Sequence, residues 1–187
     1  MNKYRRYWTG TKVKLRFIEP KDIDSIVVRN KDRDFLADRS NFFVPYPEND
    51  ATVRGDLERI MNEAPKDDKC FLAICDLDDN ICGTINTHNV SRLNGSFYYG
   101  ISIFEDKRGF GYGKEAVLLL IRYFFMELRY HKMICGVFSF NDASKALQES
   151  LGFKLEGVIT GAHYSDGKYY DELVYGMTID EYKELYE

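Results

Sequence analysis

The stretch EDKRGFGYGKEA, Glu105 to Ala116, places Gly109, Gly111 and Gly113 within five positions, between the run FYYGISIF and the apolar run AVLLLIRYFFM. Residues Lys114 to Tyr130 are apolar almost all round, with Glu115, Arg122 and Arg129 forming a single polar stripe, which predicts a buried helix. FYYGISIF predicts a strand too apolar to be half exposed. Glycines at such a strand-to-helix turn let the chain bend with its N–H groups outward, and the helix that follows adds the positive end of its dipole. Two phosphate-binding patterns are excluded. A Walker A loop needs glycine where Arg108 stands and Ser or Thr where Glu115 stands. A dinucleotide fingerprint needs a third glycine where Lys114 stands. What remains is Arg108-x-x-Gly111-x-Gly113, which reads either as a pyrophosphate cradle or as a turn without a ligand.

Working outward, KVKLRFIE alternates at Val13, Leu15 and Phe17 and predicts a strand. Pro20 opens a helix carrying Ile23, Ile26 and Val27 at helical spacing. NFFVPYPEND, Asn41 to Asp50, is a proline-broken loop, and ATVRGDLERIMNEA after it predicts a helix with Val53, Leu57, Ile60 and Met61 on one face. FLAIC and ICGTI, joined by DLDDN, predict an antiparallel hairpin. MICGVF is a further strand, ASKALQESLG a short helix stopped by Gly152, and FKLEGVITGAHY with KYYDELVYGM flank a hairpin turn at Asp166-Gly167. The fold class expected is α/β, with a mixed, mostly antiparallel sheet and one parallel crossover around the long helix.

The chain of 187 residues with 44% hydrophobic content suits a single domain, residues 1–187. A net charge of −4 argues against a nucleic-acid partner, which favours a basic face. No apolar run is long enough for a membrane span, and MNKYRRYWTG lacks the apolar core of a signal peptide, so a cytoplasmic protein without a membrane partner is expected. Cys70, Cys75, Cys82 and Cys135 show no CxxC spacing and the three histidines are scattered, so no metal is expected and the cysteines read as small buried hydrophobes.

The chain resembles the GNAT N-acetyltransferases. RGFGYG matches that family's Q/R-x-x-G-x-G/A coenzyme A loop, and NDASxxLxxSLGF, Asn141 to Phe153, its N-x-x-S segment closing on G-F. The opening LRxxEPxD at Leu15, the VPYP loop and the closing DGKYxD at Asp166 are similar to the branch that includes ribosomal-protein N-terminal and spermidine acetyltransferases. The resemblance spans nearly the whole chain. It implies a GNAT fold with a splayed central strand pair and flanking helices, and acetyl-CoA as cosubstrate. It places the pantetheine arm against Ile101, Ser102 and Ile103, and the pyrophosphate on the amides of Arg108, Gly109, Phe110, Gly111, Tyr112, Gly113 and Lys114. It also brings Asn141 to the arm, a role that can coexist with capping a helix.

The chemistry implied is direct attack by an amine on the thioester in a ternary complex, with a backbone N–H as oxyanion donor. Many relatives place a general-acid tyrosine seven residues after the asparagine, but here that position is Gln148. Ser144 is the remaining hydroxyl on the segment, near the coenzyme sulfur in some relatives, and alternatively a surface serine in a first helical turn. His163 is the candidate base, acting directly or through water, and alternatively a solvent-exposed strand residue. Tyr46 and Tyr99 are candidate walls of the acceptor cleft, against a default of packing. The acceptor expected is a small-molecule or peptide amine, an N-terminal amine ranking before a polyamine, and a homodimer is compatible with the chain. The alternatives are a CoA-binding module without catalysis, suggested by Gln148, and an interaction domain docking through Phe42 to Tyr46.

Overall fold

The computed structural model describes residues 5–29, 49–62, 66–165 and 167–187. Seven strands form one sheet: β1 (Val13–Phe17), β2 (Phe71–Asp76), β3 (Ile81–Ser91), β4 (Ser96–Ile103), β5 (Lys132–Phe138), β6 (Lys154–Ser165) and β7 (Lys168–Thr178). Their order is β1-β2-β3-β4-β5-β7-β6, and every neighbouring pair is antiparallel except β4 and β5. The described helices are α1 (Arg5–Trp8), α2 (Ile23–Arg29), α3 (Asp50–Asn62), α4 (Tyr112–Met126), α5 (Asp142–Leu151) and α6 (Ile179–Tyr186). The parallel crossover from β4 to β5 runs through α4, as expected of two parallel neighbours.

Strand alternation sends Leu72, Ile74, Phe97, Tyr99, Met133, Cys135, Tyr175 and Met177 into one core with Val117, Leu120, Ile121 and Phe124 of α4. The opposite face, on the β1–β3 half, carries a second core in which Ala73, Cys75, Ile81 and Phe104 meet Ile23, Ile26 and Val27 of α2 and Val53 and Leu57 of α3. The two faces are therefore built differently. α4 covers the centre of one, while α2 and α3 pack on one half of the other.

Three details depart from the sequence expectations. The buried helix ends at Met126 rather than Tyr130, because Arg129 takes a left-handed φ of 62° and the Tyr130 N–H turns back to the Phe124 carbonyl at 3.0 Å. Phe17, in phase with Val13 and Leu15, is 57% exposed at the end of its edge strand. FYYGISIF buries Phe97, Tyr99 and Phe104 but leaves Tyr98 and residues Gly100 to Ile103 part-exposed, since the second half of β4 lacks a neighbour on one side. Residues 41–48 of the expected proline-broken loop, Tyr46 and its patch with Phe42 included, lie outside the described residues, as does Asp166 of the last hairpin turn. No helix among the described residues is long and apolar enough to cross a membrane.

Candidate active site

β4 and β5 separate halfway along their length. They pair at Ser96↔Lys132, Phe97↔Met133 and Tyr98↔Ile134 and no further. Beyond that point β4 continues to pair only with β3, through Ile103↔Gly83, and β5 only with β7, through Phe138↔Glu172. Tyr99 to Ile103 thus present an open main-chain edge to a widening gap, and Ile101, Ser102 and Ile103 lie at its wide end.

The glycine loop stands at the mouth of this gap. Gly111 has φ 81° and ψ 8°, left-handed geometry that a side chain resists, and it ends the loop as the N-cap of α4. The first N–H groups of a helix have no intrahelical acceptor, and those of Tyr112, Gly113 and Lys114 find no other among the described residues. The Arg108 amide, by contrast, is held by the Glu105 carbonyl at 3.2 Å. The Arg108 guanidinium donates through Nε to the Ile103 carbonyl at 3.1 Å, tying the loop to the strand. Lys114 reaches away, to the Ser150 carbonyl at 2.7 Å. Gly113 sits where strand, loop and α5 converge. A Cβ there would lie 3.4 Å from Ile103, 3.7 Å from Ile101 and 3.8 Å from Leu147.

α5 flanks the gap on the α4 side. Asn141 caps it, accepting the Ser144 N–H at 3.0 Å, so Ser144 is half-buried in the first turn, one turn before Gln148 on the same helix face. Gln148 is fully buried and accepts a hydrogen bond from the Tyr99 hydroxyl. Tyr99 itself is 2% exposed, so its ring belongs to the core and its hydroxyl to Gln148. Burial first, and the neighbouring Cys135 thiol second, push the Tyr99 hydroxyl well above its ordinary pKa.

On the face opposite α4, β5 carries Gly136 and Phe138. Glu172 of β7 lies against them, its carboxylate filling the space that a side chain on Gly136 would take. His163 of β6 stands edge-on to the Phe138 ring at 4.4 Å and meets Glu172 with Nε2 at 3.2 Å from Oε2. Phe140 stacks on Phe138 at 5.0 Å and touches Tyr170 at 4.7 Å, which extends this wall. An imidazole held by a carboxylate and backed by aromatic rings is suited to taking a proton from a substrate.

The acetyltransferase (GNAT) domain family matches residues 12–154. The chain belongs to the GNAT acetyltransferase family. This N-acetyltransferase is 37% identical over 177 residues to the SPbeta prophage-derived uncharacterized N-acetyltransferase YokL of Bacillus subtilis, covering 95% of this chain and 96% of the relative. To YdaF of the same organism, named as a candidate ribosomal N-acetyltransferase, it is 27% identical over 175 residues, 91% of this chain and 93% of that one. Among solved structures, the spermidine N-acetyltransferase of Vibrio cholerae in complex with CoA and spermine superposes with a TM-score of 0.79 at 21% identity, over 93% of this chain and 99% of that one. The latter likeness concerns the fold.

Two residues near the gap, Lys12 and Glu172, and one pairing, Tyr99 with Gln148, have little signal in the sequence. Lys12 donates to the Phe110 carbonyl at 3.0 Å and adds a cation beside Gly111. Glu172 is recognisable only once the last hairpin's register is fixed: His163 opposes Tyr170, which makes Glu172 its diagonal neighbour on one face. Tyr99 and Gln148 meet across 49 residues. Among the described residues, no group of His, Cys, Asp or Glu is arranged to hold a metal ion. The cysteines are free, and burial pushes the thiols of Cys75 and Cys135 up to about 12, which keeps them protonated.

Proposed function

We propose that this acetyltransferase moves the acetyl group of acetyl-CoA to a primary amine in a ternary complex, with a protein or peptide N-terminus as the preferred acceptor. The observation that carries the reading is the parting of β4 from β5 after Tyr98 and Ile134. A sheet edge left open beside unpaired helix-terminal N–H groups suits a ligand with an extended, amide-bearing arm and an anionic head. Ile101, Ser102 and Ile103 would pair with the pantetheine arm. The N–H groups from Gly109 to Lys114 would hold the pyrophosphate, with the Lys12 ammonium beside them. When bound, acetyl-CoA supplies an activated acetyl thioester.

The chain's own residues then have separable tasks. The main chain of the β4 edge offers N–H groups for the oxyanion, and neutral donors fixed in place suit that role. The amine approaches from the face that bears Gly136, Phe138 and Glu172. His163, oriented by Glu172, takes the amine's proton directly or through water. Ser144 stays a candidate hydroxyl one turn from Gln148. A polyamine acceptor is the second reading, favoured by the anionic Glu172 on the acceptor face. Gln148, which replaces an acidic hydroxyl with an amide, favours a third, CoA binding without turnover.

Thiol release from acetyl-CoA in the presence of a panel of peptides, polyamines and small amines tests the assignment. Turnover with at least one amine, and calorimetric binding of acetyl-CoA, are expected. Tight binding without release in every case would replace catalysis by the binding-module reading.

A further inference from the structure

On the face opposite α4, the two strands that part each carry a glycine just past the parting. β4 and β5 last pair at Tyr98↔Ile134, and two residues further along each strand are Gly100 and Gly136. Phe97 and Tyr99 of β4, with Met133, Cys135 and Val137 of β5, belong to the core beneath α4, so alternation turns Gly100 and Gly136 to the other face. Each glycine is overlaid by a side chain from the strand outside it. The Asn86 amide of β3 lies over Gly100, its Oδ1 2.7 Å and its Nδ2 4.0 Å from where a Cβ would stand. The Glu172 carboxylate of β7 lies over Gly136, with Oε1 nearest.

Both overlying atoms are hydrogen-bond acceptors. Glu172 meets His163 through Oε2, which leaves Oε1 over the glycine, and its side chain keeps 25% of its surface exposed. The Asn86 side chain makes no hydrogen bond to another described residue, and neither of its polar atoms is sealed from solvent. Two oxygens brought from opposite sides over a floor without side chains suit a group rich in donors and disfavour an anion. Paired strands stand about 4.8 Å apart and these two widen beyond their last pair, so the space between such oxygens matches one nitrogen bonded to both at about 2.9 Å each.

We propose that Asn86 and Glu172 together hold the acceptor's amino group, and that the pair selects primary amines over secondary ones. This rests on the transfer to a primary amine proposed above. An alkylammonium group carries three N–H bonds. His163 takes one proton, directly or through water, and the lone pair so freed faces the acetyl carbon. Asn86 Oδ1 and Glu172 Oε1 accept the two N–H bonds that remain. A secondary amine has only one N–H left at that stage, so one of the two acceptors loses its partner and the nitrogen is held less well in the attacking geometry.

The experiment measures thiol release from acetyl-CoA with two primary amines, a tetra-alanine peptide and spermidine, each beside its counterpart methylated on the terminal amino nitrogens. Wild type should prefer the primary form by about 10-fold to 100-fold in kcat/KM, the range for a desolvated polar group left unpaired. Asn86→Leu has a similar shape and no acceptor. It should reduce the preference to within about 3-fold, chiefly by raising KM for the primary amine. Asn86→Asp restores an oxygen acceptor and should keep the preference, and calorimetric titration of acetyl-CoA checks that each variant is folded. A wild type indifferent to methylation, or a folded Asn86→Leu protein that keeps the full preference, overturns the proposal. A wild type that binds acetyl-CoA yet releases thiol with neither primary amine overturns the acceptor reading beneath it, and this inference with it.

Discussion

Gly111 shows how far a single residue can carry a site. Its φ of 81° is a local demand of the turn, and a Cβ there would sit 2.9 Å from the Lys12 ammonium, in the space proposed for the pyrophosphate. Gly111→Val should therefore cost about 1–2 kcal/mol of stability, since a β-branched side chain resists the left-handed region. It should also abolish acetyl-CoA binding in a protein that still melts cooperatively. Calorimetry at undiminished affinity would remove the pyrophosphate from the loop. Features of this kind were legible in the sequence because conformation and consequence occupy the same few residues: the glycines, the Asn141 cap and the missing tyrosine at 148 can all be counted along the chain. The partners of those residues were not legible. Lys12 reaches Phe110 across 98 positions and Tyr99 reaches Gln148 across 49, and only the sheet brings them together.

At the scale of elements, the junction between β1 and α4 is held by one carboxylate. Glu115 accepts from the N–H groups of Thr11, Lys12 and Val13 at 2.7–2.8 Å and from the Thr11 hydroxyl at 2.7 Å. Burial alone would raise its pKa, but the hydrogen bonds from Thr11, Lys12 and Val13 outweigh that and leave it lowered. A lowered folded pKa means stability that is present above the ordinary glutamate range and lost as pH falls through and below it. Glu115→Ala should cost about 1.5–3 kcal/mol near neutral pH, the range for hydrogen bonds to a charged group, with the difference from wild type shrinking in acid. Denaturant melts at pH 7 and pH 3 check this, and an equal deficit at both would show that the charge is irrelevant. The sequence marked Glu115 as part of a polar stripe on a buried helix, which found the helix, though not its end at Met126, and missed the contact. Helix α6 was missed altogether, although Thr178 and Glu181 form a capping box just ahead of it. Its short apolar face, with Tyr182 alone fully buried, left only that polar cue.

For the whole molecule, the parallel crossover through the long helix was legible because α4 announces itself by composition and only a crossover can join parallel neighbours. The parting of the two strands has no signature in β4 or β5 alone, and its expectation came from family resemblance. In the function proposed above, that gap divides the molecule into a cosubstrate side, toward α4 and α5, and an acceptor side, toward His163 and Glu172, and the acceptor side would govern which amine reacts. An α-amine with an ordinary pKa of about 7.7–8.0 is roughly 10% neutral at pH 7, whereas a lysine-like amine near ~10.4 is neutral to only about 0.04%. A single imidazole–carboxylate pair helps the first far more readily than the second, because the driving force for removing the proton falls as the amine's pKa rises. The expected outcome is that kcat/KM for a short peptide exceeds that for spermidine at pH 7, and that the ratio narrows toward pH 9 as the polyamine loses its protons. His163→Ala should lower the peptide rate by about 10²-fold to 10⁴-fold near pH 7, the range for general-base catalysis, and by less at pH 9, where free amine is abundant. Spermidine turnover at pH 7 that survives loss of His163, with the peptide inert, would reverse the ranking and assign deprotonation to another group on the acceptor face.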